Sequence, residues 1–537
     1  MRIRGPAALG WAAASTAAAP PTSESPPEAA GVQRVWSSTG LVLGALLVAA
    51  AALRFSTLGL QSLWYDEAFT PVHVLHGGLG ATLRAVSHTE NTPPLYYILL
   101  WGITKAFGTG AVALRFVSAL VGTATVAVAW AVGRELGTRR TAIVFAALAC
   151  FNPLFVWYSQ EARAYELVLA FAALAFLFFL RARRRPAPAS LAAWAVASAL
   201  ALLTHYFAIF LIVPQALLLL RPPDRRLART LAVASVAVVT GALIPLVVAQ
   251  SGHGTQWIGH WAFSSRLIAI PQYWVLGASG NTLGKGLLLL ALLPFAAALA
   301  LVGRLEPRER DAAFLSAGLG VVAIAAPLVL AVVGLDYLAP RNLIAAFFPL
   351  TAAFAVALAA RRAGGLGAAL ALIICAAGLA AVVAVDLRPR LQRGDWRGVA
   401  RALNGSPAQR AVVTVGLGTA PLQYYVRDLH KLPLSDAAAV QEVDLVGYRP
   451  IVHRALRPAA PGLIPLGRRD VHGLLVYRYR AGGPVLLSEE QLLGHRLDRV
   501  HSEVLVSPQA TAVGSGAPVG APGRPAHRGA RATRRTG

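Results

Sequence analysis

Three short polar islands carry the residues of this chain that could do chemistry. Trp64-Tyr65-Asp66-Glu67 follows the first long apolar run. His88-Thr89-Glu90-Asn91-Thr92-Pro93-Pro94 comes next, and Tyr158-Ser159-Gln160-Glu161-Ala162-Arg163 follows a later run. A positioned carboxylate takes a proton from an attacking hydroxyl or amine. An arginine fork holds phosphate and stabilises the charge that builds as phosphate leaves. Carboxylates and arginines placed together therefore suit group transfer away from a phosphate. Asp66 is the first candidate for the base, because it sits on a loop just past an apolar segment. Glu67 points to another side and orients partners. Glu90, held ahead of a stiff Pro-Pro step, is a second candidate acid.

The elements that must position these groups are membrane helices. Of 537 residues, 56% are hydrophobic and only 14% charged, against about 25% charged in a soluble protein, and the mean hydropathy is +0.58. Apolar runs near 39–60, 112–133, 141–157, 165–180, 189–204, 206–220, 230–250, 285–303, 313–333, 342–360 and 365–385 predict eleven spans, most of them about the length that crosses 30 Å of hydrocarbon. The net charge of +25 is almost all arginine. It collects in five short loops: Arg134/Arg139/Arg140, Arg181/Arg183/Arg184/Arg185, Arg221/Arg225/Arg226/Arg229, Arg304/Arg308/Arg310 and Arg361/Arg362. The positive-inside rule accounts for that placement better than nucleic-acid binding does.

All five loops fall on the cytosolic side if the N-terminus is cytosolic and residues 93–107 do not cross. That segment opens with two prolines, carries Lys105 and is too short to span. It is expected to lie at the membrane face. With this topology Glu135, Asp224, Glu306, Glu309 and Asp311 sit among cytosolic arginines, while Asp66, Glu67, Glu90, Glu161, Glu166 and Asp336 face out. The outer cations are Arg54, Arg84, Lys105, Arg115, Arg163, Arg266, Lys285 and Arg341. Arg163 and Arg341 are the leading phosphate candidates, with Arg54 a third because it lies inside the first span.

The expected domains are a disordered cytosolic tail over 1–37, a transmembrane domain over 38–385, an extracytoplasmic α/β domain over 386–510 and a disordered basic tail over 511–537. Within 386–510, residues 395–403 read as helix, and 411–417 and 473–479 as strands. Cys150 and Cys375 lie in separate apolar runs and read as small core residues. His205 reads as a turn residue between two spans rather than a metal ligand. Trp257, Trp261, Tyr273 and Trp274 read as an interfacial aromatic belt.

Outside a bacterial membrane no nucleotide sugars are available, so a glycosyl donor arrives there on a lipid phosphate. The order of motifs resembles the C-type membrane glycosyltransferases, near the protein O-mannosyltransferases and aminoarabinose transferases. The resemblance rests on Trp-Tyr-Asp-Glu at 64–67, Glu-Asn-Thr-Pro-Pro-Leu-Tyr-Tyr at 90–97, Ala113-Leu114-Arg115, Tyr-Ser-Gln-Glu-Ala-Arg-Ala-Tyr at 158–165 and Tyr337-Leu338-Ala339-Pro340-Arg341. It covers roughly residues 38–385. It implies a polyprenyl-phosphate sugar donor, inversion at the anomeric carbon and a catalytic Asp at Asp66. A substrate site would then draw on Tyr158, Glu161, Arg163, His205, Tyr337, Arg341 and Arg54.

The sequence departs from both branches. Thr92 stands before Pro-Pro, where the O-mannosyltransferases carry His and the aminoarabinose enzymes Lys, and Tyr96-Tyr97 follows. The expectation is therefore the general class, a hexosyl or pentosyl transferase of a bacterial plasma membrane. Its acceptor is a glycan, a lipid or a protein. Some relatives bind a divalent metal, for which His205 and Glu90 are the residues at hand. Two competing readings are a transporter or flippase of a lipid-linked sugar and a catalytically silent assembly protein. Transporters place ionisable groups at mid-membrane on broken helices, whereas the acids here gather at one face.

Overall fold

The computed structural model describes residues 27–253, 256–279, 285–404, 409–434, 436–448, 460, 462–497, 501–510 and 512–513. Residues 1–26 and nearly all of the 511–537 tail lie outside them. In hydrocarbon the backbone has no water to bond, so apolar runs satisfy their N–H and C=O groups internally as helices. The eleven predicted runs fall largely on helix, the first of them ending at Phe55 rather than at 60. The chain opens with α1 (Pro27–Phe55), which begins inside the stretch expected as a tail. A first loop follows, with α2 (Tyr65–Phe69), a π-turn over Thr70–Val74, α3 (Leu79–Thr89) and α4 (Leu95–Phe107).

The bundle continues through α5 (Ala111–Leu136), α6 (Arg139–Phe151), α7 (Pro153–Ser159), α8 (Tyr165–Arg184), α9 (Pro188–Thr204), α10 (Ile209–Leu220) and α11 (Arg226–Gln250). After the short α12 (Gln256–Gly259) come α13 (Phe263–Leu276), α14 (Lys285–Ala300), α15 (Pro307–Val332), α16 (Ile344–Ala359) and α17 (Gly364–Leu387).

Among the described residues six helices are long and apolar enough to cross a membrane: α5, α8, α11, α15, α16 with its leading turn, and α17 with its leading turn. The pair α6–α7, bent by 58°, makes a seventh if it is one span. The remaining predicted spans are shorter apolar helices. The bend has a local cause. Pro153 has no N–H to continue the ladder, and the Asn152 side chain caps the new helix by accepting from the N–H groups of Leu154 and Phe155 at 3.0 and 3.1 Å. At 13 residues α4 is about 20 Å long, close to the 12-residue α10.

The core sits on α8 and α16, which are mostly buried, while α11, α15 and α17 turn apolar side chains such as Leu231, Val238, Val321 and Leu372 outward. An apolar exterior of that kind is the surface lipid covers. Gly122 of α5 packs directly on Ser159 and Glu166, and a Cβ there would collide with the Ser159 hydroxyl. Trp274 differs from the expected belt: its ring packs inward on Phe295, Phe347 and Phe354, and its N–H donates to Thr351 at 3.1 Å.

Beyond the last long helix come α18 (Trp396–Leu403), α19 (Thr419–Tyr425), α20 (Glu489–Leu493) and a seven-stranded sheet. Its strands are β1 (Arg410–Val415), β2 (His430–Lys431), β3 (Ala437–Tyr448), β4 (Ile464–Val471), β5 (Leu474–Ser488), β6 (Ser502–Val506) and β7 (Ala512–Val513). The order is β2-β6-β1-β3-β5-β4 with β7 on β3; β1 and β3 are parallel and the other pairs antiparallel. Alternation along β1 sends Ala411 and Val413 into one apolar cluster and Val412 into the other, against Trp396 and Leu403 of α18. The fold is thus a helical membrane domain with a small sheet domain, as the sequence predicts.

The sheet domain is anchored on the first loop. Leu63 N–H donates to the Tyr425 hydroxyl at 2.8 Å, Ser62 to the Gly394 carbonyl at 2.9 Å, and Tyr424 to the Thr109 carbonyl at 2.6 Å.

Candidate active site

The first loop, the turn between α7 and α8, and the start of α16 bring the three polar islands and Arg341 together. Asp66 stands in the first turn of α2, and its Oδ2 accepts from Arg341 Nη1 at 2.9 Å. The side chains of Arg341 and Asp66 remain 22% and 18% exposed. The Arg341 guanidinium also lies over the rings of Trp64 and Tyr165, at 5.7 and 5.9 Å.

The neighbouring carboxylates are bound quite differently. Glu67 is fully buried. Arg115 Nε and Nη2 donate to its two oxygens at 2.7 and 2.6 Å, and Ala162 N–H adds a third bond at 2.8 Å. Burial acts to raise the Glu67 pKa, but the charges of Arg115 and Arg393 outweigh it and leave the carboxyl below its ordinary value. Arg115 also donates to the carbonyls of Leu58, Gln61 and Ser62, so one pair pins the approach to Asp66.

Glu90 takes Arg163 through both oxygens, at 3.4 and 3.1 Å. Arg163 donates further to the Asp66 carbonyl and to the Thr70 hydroxyl, at 3.3 and 3.2 Å. It ties the second and third islands to the backbone of the first.

Glu161 is buried, pairs with Arg393 through Oε2, and has no partner for Oε1. Burial, countered by Arg393 and Arg341 and reinforced by Glu67 and Asp66, pushes its pKa up to about 7. Tyr158 packs on Tyr165 at 4.8 Å between ring centres, and Tyr165 on His205 at 5.8 Å. His205 Nδ1 accepts from Phe207 N–H at 3.2 Å, and burial, with Arg163 and Arg341 nearby, lowers its pKa to about 3. It is a neutral turn residue beside the cluster. Among the described residues no three His, Cys, Asp or Glu side chains are grouped so as to hold a metal ion.

Not every predicted residue joins the site. Arg54 is buried, with contacts to Ser159 Oγ and to the carbonyls of Ala50, Cys150 and Ala149. Ser159 in turn donates to Glu166 at 3.1 Å. Arg54 is thereby committed to helix packing. Tyr337 is 43% exposed, and Asp336 beside it pairs with Arg266 at 2.6 and 2.7 Å. Arg393 belongs to the site and sequence reasoning missed it. It sits in the run after α17 among Arg388, Arg390 and Arg397, where nothing in the sequence sets it apart.

Comparison with known proteins supplies the fold family. Residues 91–250 match the family described as dolichyl-phosphate-mannose-protein mannosyltransferase. No curated protein matches the sequence. ArnT from Cupriavidus metallidurans bound to undecaprenyl phosphate is similar over 82% of this chain and 98% of its own, at 14% identity and TM-score 0.51. Its apo form matches over 73% and 85%, at 15% identity and TM-score 0.50. The S. cerevisiae protein O-mannosyltransferase Pmt1-Pmt2 complex bound to the sugar donor matches over 39% of this chain and only 33% of that one, at 18% identity and TM-score 0.32. The chain has the fold of the C-type membrane glycosyltransferases.

Proposed function

We propose that this chain is a glycosyltransferase of a bacterial plasma membrane. It moves a sugar from a polyprenyl phosphate to a hydroxyl or amine on the extracytoplasmic side, inverting the anomeric carbon, with Asp66 as base. The observation that carries this reading is the Asp66–Arg341 pair. Glu67 and Glu90 are each gripped through both oxygens and buried, whereas Asp66 and Arg341 meet while both stay partly exposed. A donor phosphodiester offers Arg341 two anionic oxygens that match its donor fork, and drawing Arg341 away releases Asp66 beside the reacting centre.

In the transfer the acceptor oxygen or nitrogen forms its bond to the anomeric carbon as the bond to the phosphate oxygen breaks. The acceptor's proton goes to Asp66, and the electron pair leaves on the polyprenyl phosphate beside Arg341. Glu67, Arg115, Glu90 and Arg163 act as positioning residues, because their partners lie within the protein.

Arg341→Ala should lower turnover about 10²–10³-fold and also raise the donor KM, since phosphate is present in both the ground and the transition state. The assay is release of polyprenyl phosphate from a labelled donor by purified protein. An unchanged KM with unchanged turnover would remove Arg341 from the donor site.

The sidedness rests on where the arginines gather. Arg181 and Arg184 reach Glu135, Arg140 reaches the Gly364 carbonyl, and Arg361 N–H reaches Glu309, so four of the five basic loops adjoin one another. The acid cluster lies at the opposite ends of α5, α8 and α16. Single cysteines replacing Arg183 and Pro433, both exposed, should differ. An impermeant thiol label added from outside should modify position 433 and spare position 183. The reverse pattern would invert the topology and take the site off the extracytoplasmic face.

A further inference from the structure

We propose that Arg393, supplied by the segment that enters the sheet domain, is a positioning residue of the transfer site, acting through Glu161. The inference rests on the transferase reading above. Arg393 is buried, with a side chain only 6% exposed. Its Nη2 holds Glu161 Oε2, and its Nη1 lies 3.6 Å from Glu67 Oε2. The guanidinium is stacked over Trp157 at 4.4 Å and faces the Trp64 ring at 6.0 Å.

Trp64 thus has Arg393 and Arg341 both over its ring, the first holding Glu161 and Glu67 and the second holding Asp66. A guanidinium suits this place because its plane stacks on indole while its edge serves a carboxylate, which an ammonium cannot do.

The backbone around Arg393 is equally fixed. Its N–H donates to Gln61 Oε1 at 3.0 Å, the Gly394 carbonyl accepts from Ser62, and Arg397 donates to the carbonyls of Gly59 and Gln61 at 3.2 and 3.3 Å. These contacts fasten the sheet domain to the residues just before Asp66. Glu161 is left with Oε2 anchored by Arg393 and Oε1 buried without a partner, within electrostatic reach of Asp66 and Arg341. A buried acceptor atom with no partner is costly unless a ligand satisfies it. In the loaded site Oε1 takes a hydrogen bond from a hydroxyl of the sugar or the acceptor, and Arg393 fixes the direction of that oxygen.

The test uses the full-length protein and compares E161Q, R393Q, R393K and the double variant E161Q/R393Q, with release of polyprenyl phosphate as the readout. R393Q should lower kcat about 10²-fold, as small misplacements in a preorganised site do, and leave the donor KM within about twofold, because Arg341 rather than Arg393 meets the phosphate. R393K should recover only part of the loss, keeping charge without the stacked plane. The double variant should lose no more than E161Q alone, the signature of two residues acting as one unit.

Losses that multiply in the double variant would overturn the proposal, as would a raised donor KM with kcat kept. So would wild-type kinetics in R393Q. If R393Q does not fold, the double variant, in which Glu161 no longer carries a buried charge, and R393K still decide the matter. A wild-type protein that releases no polyprenyl phosphate strikes at the transferase reading, whereas these variant patterns strike at Arg393.

Discussion

Asp66→Asn should reduce sugar transfer about 10²–10⁴-fold, the usual cost of losing a positioned base, and leave the protein folded. Asparagine keeps the shape and much of the hydrogen bonding, but it does not accept a proton. Folding should survive because the asparagine amide oxygen still accepts from the Arg341 guanidinium where Asp66 now does, so Arg341 keeps a partner. Donor binding should survive as well, since Arg341 loses a competitor for phosphate. Transfer measured in purified variants of equal melting temperature checks the result. Near-wild-type turnover in Asp66→Asn would take Asp66 out of the reaction.

Arg115→Ala should act on the fold instead. Arg115 and Glu67 are buried together, and removing one partner of such a pair costs about 3–5 kcal/mol because the other charge is stranded. The loss also frees the carbonyls of Leu58, Gln61 and Ser62 in the loop that carries Asp66. The expected result is a large fall in melting temperature, with a Glu67→Gln/Arg115→Gln double variant recovering part of it. The pH dependence has a definite sign. Because the folded pKa of Glu67 lies below its ordinary 4.5, the stability it contributes is present above about that value and is lost as the pH falls further. An Arg115→Ala protein that melts like the wild type would show that the pair adds nothing to the fold.

Much of the architecture is legible in the sequence because hydrocarbon enforces simple rules. Apolar runs become helices, and four of the five arginine-rich loops come together. Within residues 93–107 the chain forms the 13-residue α4. The sheet domain shows in the alternation around Ala411–Val413 and in Asp395, whose side chain caps α18 by accepting from Gly398 N–H at 2.9 Å.

The site is legible as residue types but not as partnerships. Arg54, Arg115, Arg163 and Arg341 look alike in sequence, yet the first three are bound to helix carbonyls, Glu67 and Glu90, and Arg341 to the partly exposed Asp66. Those pairings depend on how closely helices approach, as where Gly122 admits Ser159 and Glu166 against α5. Arg393 was invisible for the same reason: only the docking of the sheet domain on residues 59–63 carries it to Glu161.

The most direct test of the account is a structure with a polyprenyl phosphate bound. The account predicts phosphate oxygens at about 2.7–2.9 Å from the Arg341 guanidinium, the Asp66–Arg341 contact broken, and the Glu67–Arg115 and Glu90–Arg163 pairs intact. A lipid phosphate bound elsewhere, with Asp66 still on Arg341, would contradict it.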